Sequence, residues 1–254
     1  MKLTITLTTT LILSLATCGL SAAPANVGRV FHPDENAIAT VDAAIAAARA
    51  NDRLALVVLG ANWCHDSRAL GSRLDQSPLK EVLEASYELA VVDVGYYEHG
   101  QDVMRHLGEA IYYATPTVLI VDPATRQVIN NHNRRQWGAA ADVSMANTVA
   151  YFETMARAQG QAADPKTGNA ERLAQIRRFE QEQAIRLAKG YEALQPLLRV
   201  LGETRQRPDD FDERWAELAD FRGTLARDLE ELRADDGAQD SLTLPVYPLK
   251  SWER

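Results

Sequence analysis

Leu59-Gly60-Ala61-Asn62-Trp63-Cys64-His65-Asp66-Ser67-Arg68 closes an apolar run and opens a polar one. The run it closes, Leu54 to Leu59 (LALVVL), is short and bounded by polar residues, the pattern of a strand buried on both faces. The segment therefore reads as strand, short loop, helix, with Cys64 at or just before the helix N-terminus. Unpaired N–H groups and the helix dipole at such a position favour the thiolate, the nucleophilic form of cysteine. A cysteine with no second thiol nearby can also be a small buried hydrophobe. The polar neighbours Asn62, His65, Asp66 and Arg68 favour the nucleophile.

Working outward, helix and strand patterns alternate between residues 26 and 159. Asp34 to Ala50 places Val41, Ala44, Ile45 and Ala48 at helical spacing. A helix is expected from near Cys64 to Ala85, interrupted or kinked at Pro78. Tyr87 to Val94 reads as a second strand, Gln101 to about Tyr112 as a short helix, and Thr117 to Val121 as a third strand. Asp122-Pro123-Ala124-Thr125 is a turn, so Gln127 to Asn130 is expected to return as a fourth strand in a hairpin. Ser144 to Arg157 closes the unit as a helix.

Two motifs in this order carry a resemblance. Gly60-Ala61-Asn62-Trp63-Cys64-x-x-Ser67-Arg68 resembles the active-site segment of the thioredoxin family, whose motif is Trp-Cys-x-x-Cys. Some fifty residues on, Ala114-Thr115-Pro116-Thr117 resembles that family's cis-proline loop. The resemblance implies an α/β, thioredoxin-like fold, a central mixed sheet flanked by helices, over roughly half of the chain. It also implies thiol–disulfide exchange at Cys64. Trp63, His65, Thr115 and Pro116 would lie on the substrate side, with Trp63 as a platform beside the cysteine and Thr115 offering backbone polar groups to an extended peptide. An ordinary core aromatic is the plainer reading of Trp63, and a strand-start proline that of Pro116.

Ser67 stands where the family has its second cysteine. A dithiol enzyme attacks with the first thiolate and resolves the mixed disulfide with the second. Ser67 has no sulfur, so that cycle cannot close within the chain; the serine is expected only to donate a hydrogen bond to the thiolate. Monothiol behaviour remains: a mixed disulfide between Cys64 and a thiol-containing protein client or a low-molecular-weight thiol, resolved by an outside thiol. The alternative is a non-enzymatic binding module that holds a client in the proline groove.

The chain has two cysteines, Cys18 and Cys64. Met1-Lys2, the apolar and Thr-rich stretch to Leu20, and Ser21-Ala22-Ala23-Pro24-Ala25 follow the order of a secretory signal peptide, so residues 1–25 are expected to direct a periplasmic or secreted protein. Leu15-Ala16-Thr17-Cys18 also resembles a bacterial lipobox, which would leave a membrane-anchored lipoprotein acylated on Cys18. Either fate removes Cys18 as a thiol.

Beyond the α/β unit of residues 26–159, residues 160–170 (GQAADPKTGNA) read as a linker. Residues 171–254 read as an α-helical hairpin and an irregular tail. Its first helix carries Leu173, Ile176, Phe179, Leu187, Tyr191, Leu194 and Leu198, with a kink or break expected near Gly190 and Pro196. Its second carries Phe211, Trp215, Leu218, Phe221, Leu225 and Leu229, with Asp210 and Glu213 as a capping box. The apolar stripe needs cover: self-packing as a satellite is the plainer expectation, and a partner or dimer contact the sharper one.

Net charge is −8, which argues against nucleic-acid partners, since polyanion binding needs a surplus of Lys and Arg. His32, His99, His106 and His132 show no metal-ligand spacing, and Cys64 and His65 are adjacent and chelate poorly, so no metal or other cofactor is expected. Arg134-Arg135 reads as a solvated charge pair.

Overall fold

The computed structural model describes residues 30–158, 170–235 and 242–254. The expected leader and lipidation site lie outside the described residues, as does the expected linker except its last residue, Ala170, which opens a helix.

The sheet has three strands in the order β2-β1-β3: β1 (Leu54–Gly60), β2 (Tyr87–Asp93) and β3 (Thr117–Val121). The central strand β1 pairs parallel with β2 and antiparallel with β3, so the sheet is mixed. Every residue of β1 is buried. Its alternate side chains enter two separate cores, as the two-residue period of a strand requires. Ala55, Val57 and Leu59 face one core, and Leu54, Leu56 and Val58 the other.

The second of these cores is closed by α2 (His65–Leu74), α3 (Leu79–Ser86) and α5 (Met145–Arg157), together with the 3-10 segment Arg134–Asp142. A single helix through Pro78 does not form: α2 stops at Leu74, and α3 starts anew with Pro78 as its N-cap. Proline lacks the N–H that a continuing helix needs, and its ring collides with the preceding turn. The N-terminus of α5 is capped by Ser144, whose hydroxyl accepts from the Asn147 N–H at 3.1 Å.

The expected fourth strand also fails to form. Val128 makes one isolated bridge to Val121, and beyond it a side chain replaces the ladder. Asn130, fully buried, accepts from the Ile120 N–H and donates to the Val118 carbonyl, both at 2.9 Å. Its amide satisfies the outer edge of β3, so no fourth backbone ladder is needed there.

The first core is closed by α1 (Ala37–Ala50) and α4 (Gln101–His106), and then by α6 (Ala170–Thr204) and α7 (Phe211–Ala234). The hairpin is therefore not a satellite. Ile176, Leu187, Tyr191, Leu218 and Leu225 belong to the same apolar cluster as Val57 and Leu59. α6 runs unbroken through Gly190 and Pro196, because Tyr191, Leu194 and Leu198 on either side are buried and tertiary packing outweighs local propensity. The Asp210 capping box is absent too: Asp210 sits in helical backbone and its side chain caps nothing. The tail crosses back over the hairpin, where the Trp252 indole donates to the Arg186 carbonyl at 3.0 Å.

Candidate functional site

Cys64 is the N-cap of α2, held in extended backbone by the end of β1 on one side and the first helical turn on the other. Its thiol donates to the Thr115 carbonyl at 3.1 Å, so the Trp-Cys loop and the loop before β3 meet at the sulfur. The Thr115–Pro116 peptide bond is cis. Cys64 is 9% exposed.

The loop that presents it is fastened from two directions. Asn62 accepts from the Phe31 N–H at 3.3 Å and donates to the Phe31 carbonyl at 2.5 Å, pairing the loop with an N-terminal segment. Arg68 reaches back from the first turn of α2 to the carbonyls of Asn62 and Trp63, at 2.9 and 2.8 Å. Asp66 accepts from the Ala141 N–H at 2.9 Å and joins α2 to the 3-10 segment.

The remaining predicted residues fall differently. Ser67 is fully buried, and its hydroxyl has no hydrogen-bond partner, so the expected bond to the Cys64 sulfur is not made. Its Oγ lies instead beside Gly60: a Cβ placed on that glycine would come within 2.9 Å of it. His65 is exposed on the outer face of α2. Trp63 is not an open platform. Its indole donates to the Gly95 carbonyl at 2.7 Å, and its ring packs edge-on against Tyr97 (5.1 Å) and Trp215 of α7 (6.1 Å). Thr115 is 5% exposed, and its carbonyl is the one that receives the Cys64 thiol.

The structure adds a layer that periodicity did not reveal. Tyr97, Tyr112 and Tyr191 stack at 4.4 to 6.2 Å, and the Tyr191 hydroxyl donates to the Tyr112 carbonyl at 2.8 Å. Tyr97 sits in the left-handed region at φ +77°, a costly conformation for a bulky residue. Arg222 of α7 donates to its hydroxyl at 2.7 Å. Burial pushes the Tyr97 phenol up; Arg222 pulls the other way, and a charge on Cys64 adds to the rise. The hairpin thus places a cation one residue removed from the sulfur. The signals in the sequence were the Tyr96-Tyr97 doublet between Gly95 and Gly100, and an arginine on the same helix as the apolar stripe.

Of the expected solvated pair, Arg135 is exposed but Arg134 is not. Arg134 bonds Glu109 at 2.7 Å with both side chains nearly buried, and Arg135 bonds Glu230 of α7 at 2.9 Å. Among the described residues, no group of three His, Cys, Asp or Glu is placed to hold a metal ion, and no helix is long and apolar enough to cross a membrane.

The fold agrees with what comparison finds. Residues 36–123 match a family described as thioredoxin-like. The match suggests thiol–disulfide exchange in general. A solved structure of a disulphide isomerase from Xylella fastidiosa Temecula1 aligns at 24% identity and a TM-score of 0.43, covering 49% of this chain and 96% of that one. No curated protein matches the chain. Residues 36–123, with α1, the three strands and the Trp63-Cys64 loop inside the match, make up a unit of thioredoxin-like fold.

Proposed function

We propose that the protein carries out monothiol exchange through Cys64, outside the cytoplasm. The observation that carries this is the meeting of Cys64, as N-cap of α2, with the Thr115 carbonyl at 3.1 Å, while a serine occupies the position three residues on. In the forward step the Cys64 thiolate attacks one sulfur of a client disulfide. A Cys64–client S–S bond forms, the client S–S bond breaks, and the other sulfur leaves as a thiolate that takes up a proton. An outside thiol then attacks the mixed disulfide and releases Cys64. No second thiol of the chain enters, because Ser67 has none to give. The client is the disulfide form of a thiol-containing protein or of a low-molecular-weight thiol. Export rests on the leader-like residues 1–25, and anchoring through Cys18 is the variant of that reading.

Intact mass after exposure to glutathione disulfide tests the exchange. One adduct that vanishes with dithiothreitol, and is lost in Cys64→Ser, is expected. A wild-type chain that stays unmodified overturns the proposal. The low exposure of Cys64 and the cover over Trp63 favour a second reading, a module that holds its client without exchange. Client capture undiminished in Cys64→Ser would select it.

A further inference from the structure

Beside the loop 114–117 lies a cavity of about 220 Å³, walled by Ala114 and Pro116 on one side and by Arg222, Leu229 and Arg233 of α7 on the other. That is room for about seven waters, the size of one amino-acid side chain or chain terminus. Its charge is lopsided: four arginines (Arg134, Arg135, Arg222 and Arg233) line it against a single carboxylate, Glu230. In a chain of net charge −8 this concentration of cations is an inversion of the average.

The arginines are not used up by the pairs they make. A guanidinium carries five N–H donors in a planar fork. Arg134 gives Nη2 to Glu109, while its Nη1 is buried with no hydrogen-bond partner. Arg135 gives Nε to Glu230, and Arg233 gives Nη2 to Glu180. Arg222 bonds the Tyr97 hydroxyl, and among the described residues no carboxylate pairs with it. A partly buried guanidinium without a counter-charge is expensive to keep unless something anionic visits it.

We propose that this cavity is a carboxylate subsite, which binds an acidic side chain or a chain terminus of the molecule whose sulfur meets Cys64. The identity of that molecule rests on the exchange reading above; binding in the cavity does not. The two are adjacent through the chain: Ala114 and Pro116 line the cavity, and the Thr115 carbonyl between them accepts from the Cys64 thiol. Arginine is the side chain suited to the task, since its fork matches a carboxylate bidentately and it stays charged at every working pH.

The test uses the full chain carrying Cys64→Ser, so that binding is read without exchange. S-methylglutathione and a short peptide rich in Glu are each titrated calorimetrically, beside S-methylglutathione with both carboxylates esterified. Saturable binding of either acidic probe is expected, lost on esterification and weakened about tenfold in Arg135→Gln and in Arg233→Gln. Both variants remove partly exposed side chains, and circular dichroism checks that they fold. Binding by the peptide alone assigns the subsite to protein clients; binding by the tripeptide assigns it to small thiols. Equal binding of the ester, or unchanged affinity in both variants, overturns the proposal, as does the absence of binding by both acidic probes. Adduct formation by the wild-type chain is a separate readout, so the subsite and the exchange fail independently.

Discussion

At the scale of single residues the site depends on close approach. β1 ends in Gly60, and a Cβ there would lie 2.4 Å from the Phe31 ring and 2.9 Å from Ser67 Oγ. The ring belongs to the same residue that Asn62 clamps, so the glycine sets the position of the loop as well as its packing. Gly60→Ala forces Phe31 out of the core at a cost of about 1–3 kcal/mol. For a chain of this size that lowers the melting temperature by about 2–4 °C per kcal/mol, which a thermal scan measures. A variant that melts with the wild type would show that Phe31 moves freely. The nucleophile was legible because Trp63-Cys64 follows an apolar strand-like run; the surroundings were not. Ser67 turns into the core beside Gly60, and Trp63 turns toward α7, where Trp215, more than 100 positions away in sequence, packs against its ring. No local pattern encodes Arg222 reaching Tyr97.

At the scale of elements, the three strands were legible because each is a short apolar run between polar bounds. The fourth was not, because one buried amide, Asn130, does the work of a ladder. The amphipathic stripes of α6 and α7 announced that they are buried without saying against what. Two glycines in the hairpin now separate packing from propensity. At Gly190 a Cβ would lie 2.7 Å from Leu218 and 2.9 Å from Trp252, whereas at Gly223 nothing lies within 4 Å. Gly190→Ala should cost about 1–3 kcal/mol by pushing the tail off α6. Gly223→Ala should instead gain about 0.5–1 kcal/mol from helix propensity. Urea midpoints that move in opposite directions are expected, and a stabilised Gly190→Ala would refute the packing assignment. The same hairpin restricts access. Trp215 lies edge-on to Trp63, and Arg222 stands over Trp215 at 5.3 Å. Trp215→Ala removes that cover, and alkylation of Cys64 by iodoacetamide should quicken at least several-fold. An unchanged rate would mean that α7 does not control approach to the sulfur.

At the scale of the whole molecule, the seam between the α/β unit and the hairpin is built largely of tyrosine. Tyr97, Tyr112 and Tyr191 are each at most 3% exposed, and Tyr113 bonds Glu180 of α6 at 2.8 Å. Burial raises all four phenols above the ordinary tyrosine value. In the unfolded chain they ionise near pH 10. Below that pH both states hold the protons, and the contribution of the seam to stability is fully present. Above it the unfolded chain releases protons that the folded chain keeps, so stability falls as pH climbs toward the raised folded values. Each such tyrosine removes up to about 1.4 kcal/mol per pH unit in that window. The urea midpoint should therefore hold level from pH 7 to about 9.5 and drop steeply beyond 10. Tyr191→Phe deletes one of the four ionisations together with the bond to the Tyr112 carbonyl. It should lose about 1 kcal/mol at pH 8 and show a shallower alkaline fall. Equal slopes for the two proteins, or a wild-type midpoint level to pH 11, would show that the seam opens and hydrates before the chain unfolds.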